Sequence, residues 1–227
     1  MDCHSSTSRL PLQLLRLVSP SHPVGAFSYS RGLEWAVHAG TVRDEPTAQN
    51  WILGLLEHCY ACLDGAVFWR MVHSLREGHS ERFLDADRWL QAARESRELE
   101  LEDRRMGEAL LHLLVDLEIP QARSLSGQCS TFPGAFAIAA VHWQVDPHDA
   151  LLGLMWSVVE GQVSAAIRLV PLGHTAGQRI LIAGAPVIER AAQKAVTLLD
   201  DEVGNVAPAM AMASAWHESQ YSRLFRS

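Results

Sequence analysis

The residues whose types and spacing come nearest to a metal-binding pattern lie in the segment 58–62, which reads HCYAC. On a helix, His58 and Cys62 share a face at four-residue spacing, and Cys59 precedes Cys62 by three residues. Thiolate and imidazole groups are ligands that nickel, zinc and copper accept. A single pair of cysteines with no second pair is also typical of small buried residues in an amphipathic helix. The residues leave both interpretations open, a metal-carrying cluster and ordinary core packing.

The motifs that mark common enzyme classes are missing from the sequence. It contains no G-x-S-x-G turn, no phosphate-binding loop, no G-x-G-x-x-G and no H-E-x-x-H. His217 and Glu218 begin the last of these patterns, but Tyr221 stands where the second histidine belongs. No motif pairs a nucleophile with its base. A non-catalytic role is therefore predicted, and an enzyme whose pocket is assembled from distant residues stays as a further hypothesis.

The loop from 19 to 32 is a candidate binding segment. Between Gly25 and Gly32 it carries two hydroxyls, a phenol and a guanidinium in the run Ser28-Tyr29-Ser30-Arg31. Loops that present such groups on a surface often bind partners. The alternative is a structural loop in which the aromatic side chains plug the core.

The C-terminal segment 217–227, HESQYSRLFRS, carries apolar and basic residues where a tail selected for solubility would be polar. Aromatic residues and Arg are enriched at interface hot spots, whereas Lys and Glu are depleted there. We expect a docking peptide with Tyr221, Leu224 and Phe225 exposed in the isolated chain. The alternative is a tail that folds back on its own helices.

Helices must position these segments, because alternating strand patterns are nearly absent. Apolar residues recur at three- and four-residue steps along most of the chain. The pattern predicts an all-α fold, with a single compact helical domain of roughly eight to ten helices over residues 10–219. Residues 1–9 are predicted to be disordered and residues 220–227 to form a partner-docking tail. The helix from 150 to about 169 is apolar nearly all round and should be central.

Other sequence signals predict where two helices begin, which helical stretch faces solvent and where a loop lies. Asp44 is a suitable N-cap, and Asp146 followed by Pro is a specific start signal. In the stretch 94–105, nine of twelve residues are charged with mixed signs, which predicts a solvated helical surface. The segment 123–133, rich in Ser and Gly, is predicted to be a loop.

Composition narrows the class of protein. The chain has 227 residues, 48% of them apolar, and a formal charge of −7. The apolar content excludes disorder as the main state, and the surplus indicates either a large core or a large interface. The acidic balance speaks against nucleic acid as a partner.

Location also follows from composition. Pro and Gly interrupt the weakly charged stretches 131–145 and 169–188 before about 18 apolar residues accumulate, so no membrane span is predicted. Four cysteines without a secretion signal indicate the reducing cytoplasm.

Four segments, in order along the chain, resemble the signature segments of UreF-type urease accessory proteins. They are LLRLVSPSHPVGAFSYSRGLEWAV at 14–37, ESRELELEDRRMGEALLHLL at 95–114, WSVVEGQVSAAIRLVPLGHTAGQRIL at 156–181 and HESQYSRLFRS at 217–227. The first and last are specific, and the four are spread along the chain from residue 14 to residue 227. Departures from the family pattern are local, such as His174 where Gln is common and Gly161 where Asn is common.

The resemblance implies an all-helical protein that forms homodimers and performs no catalysis. In this family the protein joins the accessory protein UreD, also called UreH, and the GTPase UreG on the urease apoprotein. The assembly couples GTP hydrolysis to delivery of nickel into the urease active site, and the UreF protein bridges UreD and UreG. The implied role is a cytoplasmic nickel-insertion chaperone that binds no cofactor stably, with nickel handled by the complex.

Three groups of residues become candidates for partner binding through the same resemblance. The first is the tail, expected to dock UreD and to become ordered on binding: Tyr221, Ser222, Arg223, Leu224, Phe225 and Arg226. The second, expected on the same surface, comprises Ser28, Tyr29 and Glu34. The third, expected on the exposed face that meets UreG, comprises Glu95, Glu98 and Arg105. A direct nickel carrier that uses His58, Cys59 and Cys62 is the alternative function.

Overall fold

The three- and four-residue periodicity folds the described part of the chain into ten helices joined by short loops. They are seen in a computed structural model, which describes residues 12–204 and 207–227. Within these ranges the protein contains no strand. The all-α prediction is therefore confirmed, and so is the single compact helical domain. The predicted disorder of residues 1–9 lies outside the described residues.

The helices follow one another with few interruptions. Their bounds are α1 Leu12–Leu17, α2 Leu33–His38, α3 Glu45–Arg76, α4 Ser80–Ala92, α5 Arg97–Asp116, α6 Pro120–Leu125, α7 Phe132–His142, α8 Pro147–Leu169, α9 His174–Thr197 and α10 Pro208–His217. Single 3₁₀ turns lie at Ala26–Ser28 and Asp200–Glu202.

The centre of the molecule is α8, as its apolar sequence predicts. It contacts α1, α2, α3, α7 and α9. In α7, every residue from Phe132 to Ala140 is buried, so this helix forms a second element of the core. The rings of Phe68 and Phe136 meet edge to face at 5.8 Å and join α3 to α7.

Two predicted helix starts are confirmed by their caps. The Asp44 carboxylate accepts a hydrogen bond from the backbone N–H of Thr47 at 3.0 Å. The Asp146 carboxylate accepts one from His148 N–H at 2.8 Å. Each bond satisfies a backbone donor that has no partner within the first helical turn.

The long helix α3 contains a π-helical segment, Leu56–Gly65, between two α-helical parts. Close packing surrounds its last residue. A Cβ added to Gly65 would lie 2.6 Å from Met155 Cε and 3.2 Å from Ala195 Cβ. Glycine therefore lets α3 approach both α8 and α9.

Two predictions about local structure are wrong. The charged stretch 94–105 is not a solvated surface, because Glu98, Glu102 and Asp103 are buried and pair with cations or backbone donors. The predicted loop 123–133 is also partly helical, since α6 begins at Pro120, where proline suits a first helical turn, and runs to Leu125.

Two helices, α3 and α8, are long and apolar enough to cross a membrane by length and composition alone. Their most apolar windows are 72% and 56% buried inside the protein. A helix buried in the core of a soluble protein is also long and apolar, and it passes the same test. Two such helices are therefore weak evidence for a membrane protein.

Candidate partner-binding site

The loop before α2 and the C-terminal tail are joined by backbone hydrogen bonds. The N–H of Ser30 donates to the carbonyl of Ser227 at 2.8 Å, and the N–H of Arg226 donates to the carbonyl of Ser28 at 2.8 Å. The Ser30 hydroxyl donates to the same Ser227 carbonyl. Two segments almost 200 residues apart in sequence thus form one structure.

Glu34 on α2 holds the tail from beneath. Its two carboxylate oxygens accept hydrogen bonds from the backbone N–H groups of Leu224 at 2.6 Å and Phe225 at 2.9 Å. Glu34 is therefore 7% exposed and does not itself present a surface to a partner. Its expected place on the partner-facing surface is corrected to a place under the tail.

Glu98 on α5 is the second carboxylate that holds the tail. One of its carboxylate oxygens accepts a hydrogen bond from Arg223 Nη1 at 2.6 Å, and the other oxygen lies 2.7 Å from His217 Nδ1. The Nε2 atom of His217 lies 3.1 Å from Glu34, so this fully buried imidazole bridges the two carboxylates. The expectation that Glu98 lies on an exposed face is wrong, because these contacts bury it.

Phe225 anchors the tail in the core. Its side chain is 4% exposed, and the guanidinium of Arg168 lies 4.4 Å from the ring centroid. Arg168 also donates to the carbonyl of Phe27 at 2.9 Å and so ties α8 to the loop. The expectation of an exposed Phe225 in the isolated chain is corrected, because the ring gains burial and a cation–π contact by folding back.

A buried network of charges lies below the loop and the tail tip. Arg31 pairs with Glu102 at 2.5 Å and donates to the Tyr60 hydroxyl at 2.8 Å. Burial alone would lower the pKa of Arg31, but Glu102 and Tyr60 together raise it well above its ordinary value. Ser227 Oγ donates to the other oxygen of Glu102 at 2.6 Å. The tail tip is thus tied to the interior.

A second buried network flanks the first. Arg94 contacts Asp64 and Asp103, each at 2.8 Å. Burial raises the pKa of the Asp103 carboxyl, and the Arg94 charge opposes that rise. Asp103 also accepts a hydrogen bond from Phe132 N–H at 2.9 Å, which fixes the start of α7 against α5.

Apolar side chains remain exposed around the docked tail, and we call them the tail patch. The tail patch comprises Phe27, Met212, Trp216, Tyr221 and Leu224. Tyr221 is fully exposed, and Phe27 and Leu224 are 72% and 55% exposed. The rings of Trp216 and Trp35 lie 5.7 Å apart and pack α10 against α2. Exposed apolar side chains grouped around one segment are typical of protein–protein contact sites.

The remaining candidate residues are divided between the tail and α5. Ser222, Arg223 and Arg226 are exposed on the tail, whereas Ser28 is partly buried and Tyr29 is buried below the loop. Glu95 and Arg105 are exposed before and on α5. The structure therefore brings the loop and tail candidates together and leaves Glu95 and Arg105 on a separate element.

The proposed metal cluster at 58–62 is not assembled on one side of α3. Cys59 is buried, whereas His58 is exposed. Cys62 is partly buried, and its thiol contacts the carbonyl of Glu57 at 3.6 Å. Within the described ranges, no group of three or more His, Cys, Asp or Glu side chains is placed to hold a metal ion.

Several residues that hold the tail were not predicted from the sequence. His217, Glu102 and Arg168 were not among the candidate residues, and their partners are 119, 125 and 141 residues away along the chain. The Arg31 backbone has a left-handed φ of 52°, which turns the loop into α2. The sequence signal that could have drawn attention to His217, Glu102 and Arg168 is their place within the segments 217–227, 95–114 and 156–181 that resemble the family signatures.

Comparison with known proteins agrees with this arrangement. A family described as UreF matches residues 42–185. The chain is 68% identical to urease accessory protein UreF 2 of Brucella anthropi over the full length of both chains. It is 41% identical to urease accessory protein UreF of Alkalilimnicola ehrlichii and 38% identical to that of Hahella chejuensis. These alignments cover 95% of this chain and at least 95% of each relative. The chain belongs to the UreF family of urease accessory proteins.

Proposed function

We propose that the protein is a non-catalytic urease maturation factor that docks UreD, also called UreH, through the tail patch. It bridges UreD and the GTPase UreG on the urease apoprotein and modulates GTP-dependent delivery of nickel to the urease active site. Nickel is the cargo of the complex, and the chain itself binds no cofactor stably. The observation that carries the proposal is the exposed apolar surface built around the tail.

The chemistry of the tail patch suits a protein partner. It presents Tyr and Trp rings beside the exposed arginines of the tail, and these are the residue types enriched in interface hot spots. The tail below it is fixed by Glu34, Glu98 and Phe225. A fixed surface lowers the ordering entropy that binding would otherwise have to overcome.

Two further parts of the proposal concern assembly and location. We propose a homodimer, in which a second copy covers apolar surface other than the tail patch. Ile182 on α9, 72% exposed, and Leu199, 64% exposed, are such surface. We also propose the cytoplasm as the location, which suits Cys62 and Cys129, neither of which forms a disulfide.

Tyr221→Ala tests the docking surface. Tyr221 is fully exposed, so its truncation should leave the fold intact and weaken binding to UreD at least about tenfold, as expected for a hot spot. Trp89→Ala on α4, at 45% exposure, is the matched control and should bind as wild type does. Titration calorimetry with purified UreD measures both. Equal affinity of the two variants would contradict the assignment.

Two assays test the rest of the proposal. Hydrolysis of GTP by UreG, measured with and without this protein and UreD, should change in rate, and an unchanged rate together with no UreD binding would refute the role. The carrier alternative predicts that a Cys59→Ala/Cys62→Ala double variant loses stoichiometric nickel in equilibrium dialysis. The scaffold proposal predicts the same nickel content for that variant and for wild type.

A further inference from the structure

A cleft opens beside the tail patch. It lies between the end of α1, the loop that follows it, and α8, and it has a volume of about 90 Å³. Val18, Val24 and Val158 contribute apolar wall, and exposed Phe27 stands at its edge. A Cβ added to Gly161 on α8 would meet nothing within 4 Å, so the space beside this residue is open.

Gln162 fixes one wall of the cleft. Its side chain is 3% exposed, and its amide nitrogen donates to the carbonyl of Ser30 at 2.9 Å. The amide oxygen is enclosed by protein, so it is not open to a ligand in the cleft. Gln162 therefore holds the loop against α8 and gives the cleft its shape.

Glu160 supplies an uncompensated negative charge on the same wall. Its carboxylate is partly buried and pairs with no cation in the part of the chain that the structure describes. Residues two apart on a helix point about 200° apart. Glu160 and Gln162 therefore line the cleft from opposite edges, with Gly161 between them.

The other ionisable groups of the cleft do not neutralise Glu160. Arg31 and Glu102 both line the cleft, but they are paired with each other. Burial, and then the nearby charge of Arg16, lower the pKa of His22, so its imidazole is uncharged at neutral pH. Arg16 itself stacks on Trp143 at 4.1 Å. The cleft therefore carries one negative charge without a cationic partner.

We propose that this cleft accepts an arginine side chain of the partner protein that covers the tail patch. The guanidinium pairs with Glu160, while the aliphatic stem lies on the valine walls. Arginine fits because its planar head carries a fork of donors that matches the two oxygens of a carboxylate. The inference rests on the proposed function, since it takes that partner to be UreD.

The donor set favours a cationic side chain over a metal ion. Of the two carboxylates in the cleft, Glu102 is already paired with Arg31, and His22 and Glu160 make up only two ligands of the kinds that transition metals prefer. No group of three His, Cys, Asp or Glu side chains is assembled in the described ranges. Apolar walls around a single free carboxylate suit a long aliphatic stem with a charged head.

Filling the cleft is the first test. Gly161→Leu places a side chain in the open space without a clash and adds a better helix former, so its Tm should not fall below that of wild type. Its affinity for UreD should fall at least about tenfold. Gly54→Leu is the matched control, because a Cβ at this helical glycine of α3 also meets nothing within 4 Å. The control should bind UreD as wild type does.

Removing the charge is the second test, and it does not depend on the first variant. Glu160→Gln should weaken UreD binding at least about fivefold and flatten the salt dependence of Kd. Glu81→Gln, a change of the same charge at an exposed position of α4, should do neither.

The outcomes separate the two proposals. If wild type binds UreD and both cleft variants bind equally well, the inference is overturned while the proposed function stands. If Gly161→Leu weakens binding and Glu160→Gln does not, the cleft is occupied by an uncharged group, and the arginine is ruled out. If wild type does not bind UreD, the proposed function and the inference fail together.

Discussion

At the scale of single residues, the carboxylates of Glu34 and Glu98 decide where the tail lies. Each is buried, and each accepts more than one hydrogen bond from the segment 217–225. A buried carboxylate is stable only when such donors surround it. The tail and the two acids therefore depend on one another: the acids give the tail its position, and the tail satisfies the acids.

Glu34→Ala tests this dependence. The change removes the acceptors of Leu224 N–H and Phe225 N–H, and hydrogen bonds to charged acceptors contribute roughly 1.5–3 kcal/mol each. Protection of both amides in hydrogen exchange should therefore fall at least about tenfold. Glu189→Ala, at an exposed position of α9, is the control. Unchanged protection at Leu224 and Phe225 in the Glu34 variant would show that other contacts hold the tail.

Glu160 carries a prediction about pH. Burial raises the pKa of its carboxyl above the ordinary value, so ionisation is harder in the folded state than in the unfolded state. The resulting loss of stability is absent at acidic pH and grows as pH rises through the folded pKa. Glu160→Gln should therefore raise Tm relative to wild type at about pH 7 and change it little at about pH 4. A Tm difference independent of pH, measured by circular dichroism, would contradict this.

The sequence allowed the types of several site residues to be predicted, but not their surroundings. Glu34 and Glu98 were candidates through family resemblance, yet both were expected on a surface. Glu98 lies in a run of charges that is typical of solvated helices, and its partners His217 and Arg223 are 119 and 125 residues away. Periodicity describes one helix at a time, so it cannot show that a distant tail will cover a charged face.

At the scale of elements, local signals predicted two helix starts because caps act within one turn. They are the starts of α3 after Asp44 and of α8 after Asp146. The short helix α6 escaped prediction because six residues show less than two turns of periodicity. Close approaches between helices were also unpredictable, since they depend on which elements meet.

Gly107 on α5 is one such approach, and it gives a prediction. A Cβ there would lie 2.6 Å from Ser130 O and 2.6 Å from Thr131 C, both backbone atoms that cannot move aside freely. Gly107→Ala should lower the free energy of unfolding by about 1–3 kcal/mol. Gly54→Ala, with open space around its Cβ, should raise it by about 0.5–1 kcal/mol. Urea unfolding of both variants measures the contrast, and a stabilised Gly107 variant would show that α5 and the segment before α7 are not in contact.

At the scale of the whole molecule, the apolar surplus of the composition divides into two parts. One part is the core around α7 and α8, which buries most of the large apolar side chains. The other part stays exposed, on the tail patch and on α9 at Ile182. The two surfaces are supported by different helices. The tail packs on α2 and α5, whereas α9 packs on α3 and α8. A bridging protein needs at least two such surfaces.

The tail patch and the exposed surface on α9 should bind their partners independently of each other. The isolated chain should have a solution mass of twice 25.1 kDa in light scattering, because a symmetric dimer uses one self-complementary face and leaves the other free. Tyr221→Ala lies on the tail patch and should keep that mass while losing affinity for UreD. A mass of 25.1 kDa for wild type would refute the dimer. A Tyr221 variant that loses both the dimer mass and UreD binding would show that one surface serves both partners, and it would refute the independence of the two surfaces.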